Sequence, residues 1–493
     1  MAEQLVDGNH SHVEAVNLEL DRFEGLPAAL KNEVFDETSR INLINNELHR
    51  VEREEVSKSS DSTLLPAQRQ RFQSVAAQLC TVAKEVPVAV QSNAFCLAGS
   101  CYRAAGKIRQ ARGAYQKALK ISPKNTRAIF LLADLQYVAG GKRGMPPVEA
   151  YLKSEMASDH IPGLSVGVVH NGELVLAAGY GWANVELEKP ATKDTVYAIA
   201  SITKSFTATA IMLLVEKQKI ELDKPISHYL RCLPNSAWSD ITVRQLLTHT
   251  SGIPNFTKLE GYADSMGKMG KEELLQRVAH ELEFNPGAPG AQWSYSNTGY
   301  LLLGEIIENV SQQSFGTFLK ECIFGPLKMD ATGVDDANES SLNRACGYMA
   351  KLNDIDWTWS FDKLPAWYPR GNFASGCLVS TVMDLVKWDD ALSKGELLKK
   401  SNLTEMWIPA VARRETTGYY GLGWIVDEHS GHGYVGHGGI TKGFWGYMMR
   451  FVSDTLTVIL LTNGQCPNDK RLSLVTGIAR YYLPAPSPSK TTT

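Results

Sequence analysis

At 493 residues the chain exceeds what one ordinary hydrophobic core supports, so two or three domains are expected. Hydrophobic residues make up 44% and charged residues 21%, and the formal net charge is -3, a balance that excludes the basic surface nucleic acid demands. No run of about 18 apolar residues occurs, and the opening residues lack the basic-then-apolar layout of a signal peptide. No membrane span is therefore expected, and the expected location is cytosolic.

The eight cysteines form no C-x-x-C pair and no zinc-like spacing, so they read as free thiols in a reducing compartment. Neither a metal nor another cofactor is implied.

From residue 1 to 65 the chain is polar and helical, with Ile41, Leu43, Ile44, Leu48 and Val51 forming an amphipathic stripe, and it carries no evident chemistry. Residues 66–140 change to alanine-rich helix pairs. Phe95, Gly99, Tyr102, Ala111, Tyr115, Ala118 and Pro123 fall at the spacings of a tetratricopeptide repeat. Arg71 to Lys84 fits the second helix of a preceding unit, and Arg127 to Tyr137 the first helix of a following one. Two readings stay open: a concave surface that takes a protein partner, or a helical cap packed on the next domain.

Residues 141–147 are a linker by their glycine and proline content, and the texture from 148 to 482 is α/β. Leu164 to Val169 and Leu174 to Ala178 are strand-length apolar runs joined across Asn171-Gly172, the strongest short signal for a two-residue hairpin. Gly163-Leu164-Ser165-Val166-Gly167 matches the G-x-S-x-G nucleophile motif. That motif needs its serine on a sharp strand-to-helix turn, whereas Ser165 is followed by more strand, so it reads as a strand residue.

Ser201-Ile202-Thr203-Lys204 opens a segment with Phe206, Ala210, Leu213 and Leu214 on one helical face. Serine and lysine three apart then share a face of the first turn, where a nucleophile and its proton acceptor can meet. Isolated, the same pattern equally describes a capping serine and a solvated lysine. The chain after Ser201 reads as helical and loop-rich to about Ala391. Within it, Tyr295-Ser296-Asn297 stands on a loop before another helix, where Asn297 could also be a cap and Tyr295 a packed aromatic. Strand-like runs at His437 to Lys442, Trp445 to Val452 and Leu456 to Thr462 predict a three-strand meander. A closing helix spans about Asp469 to Tyr482, and residues 483–493 read as a disordered tail.

Three motifs thus stand in order: Ser201-x-x-Lys204, Tyr295-Ser296-Asn297 and His437-Gly438-Gly439. In this order the chain resembles the serine β-lactamase and penicillin-binding-protein superfamily, and within it class C β-lactamases, D-aminopeptidases and family VIII carboxylesterases. The likeness spans about 148 to 482 and includes Leu246 to Gly252, Pro286-Gly287 and Gly376 to Trp388. It implies a multidomain protein in which an all-α helical-repeat region precedes an α/β domain of β-lactamase/transpeptidase type, an antiparallel sheet flanked by helices with a helical insertion.

It also implies roles. Ser201 would be acylated, Lys204 would take its proton, Tyr295 would relay protons to leaving group and water, and Asn297 would bond Lys204 and the substrate. The oxyanion donors would be the backbone N–H groups of Ser201 and of Ile440, which follows Gly439. By position His437 would join Asn297, Gly439 and Ile440 in binding substrate and oxyanion, with a strand residue unrelated to substrate as the alternative; it departs from the lysine of the β-lactamase K-T-G motif, and a histidine is mostly neutral near pH 7. The expectation is a carboxylesterase acting on a small-molecule ester or amide. β-Lactamase, D-aminopeptidase or acyltransferase activity, or a non-catalytic scaffold, are the alternatives.

Overall fold

The computed structural model describes residues 66–84, 88–105, 107–122, 128, 148–262, 269–284, 292–335, 343–352, 359–365, 373–413, 418–464 and 468–484. The expected stripe before residue 65, most of the helix expected after Arg127, the linker and most of the tail lie outside them. The chain divides into two compact units, one of Met1–Asp159 with Leu352–Trp359 and Asn468–Leu474, the other of the remaining residues.

In the first unit, helices α1 (Pro66–Val82), α2 (Val88–Ala104) and α3 (Ile108–Ile121) pack around Val75, Leu79, Ala94, Phe95, Ala98 and Ala118. Alanine and glycine let the helices approach closely. A Cβ on Gly99 would overlap the Tyr115 ring, which explains why those two positions carry the smallest residue and an aromatic. Helix α4 (Val148–Ser158) is tied within this unit by the Tyr151 hydroxyl, which donates to the Ser473 carbonyl at 3.2 Å.

The second unit is built on a nine-stranded antiparallel sheet ordered β3-β2-β1-β14-β13-β12-β11-β10-β9. The strands are β1 (Gly163–His170), β2 (Glu173–Asn184), β3 (Lys189–Pro190), β9 (Val411–Ala412), β10 (Tyr419–Tyr420), β11 (Ile425–His429), β12 (His432–Thr441), β13 (Phe444–Phe451) and β14 (Leu456–Thr462). Asn171 and Gly172 both have positive φ (54° and 78°), the mirror-image turn that matches strand twist. β1 pairs with β14 from Leu164↔Thr462 to His170↔Leu456, so the first and last strands of the unit meet in the sheet's interior. β14 is buried along its whole length, and its residues run apolar without alternation because both faces are covered.

Helix α7 (Val382–Lys394) crosses β1 and β14. Gly167 makes room for it, since a Cβ there would stand 2.5 Å from Val382 Cγ1. A buried ion pair fixes the crossing: Arg450 Nε donates to Asp389 Oδ1 at 2.6 Å, and the Thr457 hydroxyl donates to the same oxygen at 2.8 Å. Helix α5 (Thr203–Glu216) is buried from Thr203 to Leu214, with Phe206 stacked on Trp388 at 4.4 Å between centroids.

One expectation is refined here and one corrected. The stretch from Ser201 to Ala391, expected to be largely helical and loop-rich, also carries short strands: β5 (Gly333–Val334) and β8 (Leu378–Ser380) form a small sheet with β4 (Tyr197–Ala198), and β6 (Tyr348–Leu352) pairs with β7 (Trp359–Lys363). β4, β5 and β8, of two or three residues each, are too short to display period-2 alternation. The meander also extends beyond three strands, because β12 starts at His432 and β11, β10 and β9 continue the sheet. The glycine-rich run from Gly433 to Gly439 hides that start, since glycine reads as turn rather than strand.

Candidate active site

Ser201 lies in a single 3-10 turn, Ala200–Ile202, that winds directly into α5. It is half-buried, and its Oγ stands 3.0 Å from Lys204 Nζ. Lys204 is completely buried on the first turn of α5, so the i, i+3 geometry expected of the pair is present. Two acceptors hold its amine: Asn297 Oδ1 at 2.7 Å and the Ser375 carbonyl at 2.6 Å. The rings of Tyr295 and Tyr300 flank it at 4.9 Å and 5.3 Å. Burial pulls the amine well below the ordinary lysine pKa.

Tyr295 completes the cluster by donating its hydroxyl to Ser201 Oγ at 2.9 Å. Burial raises its pKa well above the usual phenol value, so it is a protonated donor rather than a phenolate. Asn297 begins helix α6 (Asn297–Ser311), but Ser296 is the cap, accepting from the Gly299 N–H at 3.2 Å. The Asn297 side chain is thereby left to face Lys204. Asn255 steadies it, accepting from Asn297 Nδ2 at 3.2 Å and from the Asn297 N–H at 3.3 Å.

The glycine motif runs past the nucleophile on β12. A Cβ on Gly439 would overlap the Ile199 carbonyl oxygen and stand 3.0 Å from the Ser201 nitrogen, so only glycine permits this approach. Ile440 follows it with its side chain 57% exposed. His437 is only 3% exposed, with Nε2 2.9 Å from the Tyr420 hydroxyl and Nδ1 2.7 Å from the Gly438 carbonyl. Burial, and next the Lys204 charge, bring its pKa down to about 3, so the imidazole is neutral.

Several neighbours were not singled out by sequence reasoning. His249, at positive φ in the Leu246 to Gly252 stretch, accepts from the Ser296 N–H through Nδ1 at 3.1 Å and packs on Tyr295 at 4.4 Å between centroids. It therefore sets the loop that carries Tyr295. The stretch was noticed only as part of the likeness, and no spacing rule marks one histidine within it. Asn255 carries no local signal, and Ser375 acts through its carbonyl, which no side-chain motif reveals. Ser165 is distant in kind: fully buried in β1, it donates to the Thr192 carbonyl at 2.6 Å and lies 2.9 Å from the Tyr197 hydroxyl.

Among the described residues no cluster of three His, Cys, Asp or Glu side chains could hold a metal ion, and no helix is long and apolar enough to cross a membrane.

The family profile described as beta-lactamase matches residues 148–482, more than half of the chain. The chain belongs to the β-lactamase family. Penicillin-binding protein 4* of Bacillus subtilis (strain 168) is 28% identical over 308 residues, 61% of this chain and 67% of that protein. The octameric penicillin-binding protein homologue of Pyrococcus abyssi superposes with a TM-score of 0.59 at 31% identity, covering 67% of this chain and 77% of that one. The D-amino acid amidase of Ochrobactrum anthropi SV3, in complex with L-phenylalanine amide, gives 0.57 at 28% identity, over 68% and 94%. As a β-lactamase-family member the chain is a serine hydrolase, and its antiparallel sheet flanked by helices is the fold these relatives share.

Proposed function

We propose that the protein hydrolyses neutral, carboxylate-free acyl substrates, esters first, with Ser201 as nucleophile, Lys204 as its base and Tyr295 as proton carrier. The hydrogen-bond inventory of Lys204 carries this reading. A neutral amine has two N–H donors and one lone pair. Asn297 Oδ1 and the Ser375 carbonyl take the two protons, which leaves the lone pair for the Ser201 hydroxyl 3.0 Å away.

Ser201 Oγ attacks the acyl carbon as its proton passes to Nζ. Collapse of the tetrahedral intermediate breaks the bond to the leaving alkoxide, which takes a proton from the buried phenol of Tyr295, and the Lys204 ammonium restores it. Water then attacks the acyl-enzyme along the reverse route, returning Ser201 to its starting state. Asn297 keeps Lys204 in register. The backbone N–H groups of Ser201 and Ile440 stabilise the oxyanion, a contribution of about 2.7–4 kcal/mol for such a donor.

The neutrality of His437 favours substrates without a carboxylate, because the K-T-G position offers no cation. The likeness to a D-amino acid amidase supports amides of amino acids as a second reading, since these also lack a carboxylate. None of the seven described cysteines is in a disulfide, which accords with a cytosolic setting. Helices α1 to α3 we read as a tetratricopeptide-like module for a protein partner, on the strength of the Gly99–Tyr115 fit.

Labelling with a fluorophosphonate followed by peptide mass spectrometry tests the nucleophile, with the adduct expected on Ser201. Folded protein without an adduct there would overturn the reading. Turnover of a short-chain p-nitrophenyl ester, D-phenylalanine amide and nitrocefin then ranks substrate classes, with nitrocefin expected last.

A further inference from the structure

The proton positions around His437 can be derived from its partners. Its Nδ1 lies 2.7 Å from the Gly438 carbonyl, which can only accept, so Nδ1 carries a hydrogen. The ring is neutral because it is buried, and the basic groups facing it, Lys204 from α5 (uncharged in the reading above) and Arg413 from the loop after β9, offer nothing that would hold a second proton on it. His249 is the other titratable ring coupled to it, and burial keeps that one neutral as well. A neutral imidazole protonated at Nδ1 has a bare lone pair at Nε2, so the Tyr420 hydroxyl 2.9 Å away must be the donor. Tyr300 also hydrogen-bonds Tyr420; its own proton goes to the Leu247 carbonyl at 2.9 Å, so it presents only its oxygen, a second acceptor beside Nε2 for the Tyr420 hydroxyl.

Both nitrogens of His437 are therefore occupied by the protein. The ring does not reach toward substrate. It links β10, which carries Tyr420, to the Gly438 carbonyl in the segment of β12 that passes the Ser201 nitrogen at Gly439.

We propose that Tyr420 is a positioning residue for the acyl-transfer site: by donating to Nε2 it locks His437 as the Nδ1–H tautomer, and through the Gly438 carbonyl it holds the strand that presents the Ile440 N–H to the oxyanion. The proposal rests on the reading of Ser201 and Ile440 given above. It reassigns His437 from substrate contact to strut, and it explains how a histidine can replace a lysine without leaving a buried polar atom unpaired. The anchored segment is short, and Gly438 and Gly439 supply no side-chain packing of their own to hold it in place. A missing strut there is felt in the backbone.

Tyr420→Phe removes one hydroxyl and keeps the ring. We expect kcat for a p-nitrophenyl ester to fall about tenfold or more with KM within about twofold, as a misaligned oxyanion donor requires. Nitrogen-15 spectra of histidine-labelled protein provide the independent measurement, with the His437 signals identified by their loss in His437→Gln. The wild type should show a neutral ring protonated at Nδ1 that stays neutral at pH 5. In Tyr420→Phe the ring loses the donor that favours its neutral form, so its pKa should rise by about one unit. A wild-type ring protonated at Nε2, or an unchanged kcat in Tyr420→Phe, would overturn the proposal. If wild-type Ser201 fails to react with the fluorophosphonate, the functional reading falls instead, and the tautomer measurement still decides the His437–Tyr420 pair.

Discussion

Two serines in this chain have nearly the same immediate company. Ser165 in β1 and Ser201 at the start of α5 each lie 2.9 Å from a buried tyrosine hydroxyl, Tyr197 and Tyr295 respectively. Because Ser165 sends its own proton to the Thr192 carbonyl, Tyr197 must donate to it, just as Tyr295 donates to Ser201. The difference is where the serine proton can go. A carbonyl holds it in place, whereas the desolvated amine of Lys204 can take it away. Access separates them too, since Ser165 is sealed between β2 and β14 while Ser201 is partly open. The longer, better-known G-x-S-x-G pattern belongs to Ser165, whose proton a carbonyl holds, so what separates the two serines is the proton acceptor and not the local motif.

Breaking the comparison at Ser201 should have the largest effect. Ser201→Ala is expected to lower kcat/KM for a p-nitrophenyl ester by about 10⁴-fold or more and to abolish fluorophosphonate labelling. Next comes Lys204→Met, expected to lower kcat by about 10³-fold or more in the same assay while the protein still folds.

That variant also carries a stability signature. Burial places the folded pKa of Lys204 below the unfolded value of about 10.4, so between the two the unfolded chain binds a proton that the native state does not. Native stability from this group is complete above about 10.4 and is lost as pH falls through the folded value. Wild type should therefore gain on Lys204→Met as pH rises from 7 toward 9.5, read as a widening difference in melting temperature in favour of wild type. A constant difference would show that the lysine is charged in the native state.

Tyr295→Phe should cost about 10²-fold or more in kcat, against little change for Tyr197→Phe, because only the first tyrosine adjoins a serine whose proton moves. Smallest in its effect on chemistry is Ser165→Ala. It should leave kcat within about twofold and lower stability by about 1–2 kcal/mol in denaturant unfolding, the consequence of stranding the Tyr197 hydroxyl. Activity that followed Ser165 would reverse the assignment of the two serines.

Much of the frame was legible in the residues. The Asn171-Gly172 turn, the β13 and β14 runs, and the helix behind Ser201 carry strong local signals, because long periodic segments and left-handed turn residues have few alternatives. The two-residue strands and the true start of β12 were not legible. Their existence depends on neighbours far along the chain that supply hydrogen bonds, such as Val379 pairing with both Ala198 and Gly333. Of the candidate site, Ser201, Lys204, Tyr295 and Asn297 are drawn into one hydrogen-bonded cluster. His437 sits behind it, engaged with Tyr420, where sequence reasoning had expected it to meet substrate.

By itself the sequence determined which groups are available: a serine and a lysine one helical turn apart, a tyrosine and an asparagine ahead of a second helix, and two glycines in a strand. Spacing along a helix is a local property, so the first pair needed no fold to be recognised. Only the tertiary structure decided what those groups are. It strips water from Lys204, commits two of its three bonding directions to Asn297 and Ser375, and passes Gly439 close enough to Ser201 to exclude any side chain. A base strength and a tautomer are set by burial and by partners a hundred residues away, and no local pattern encodes either.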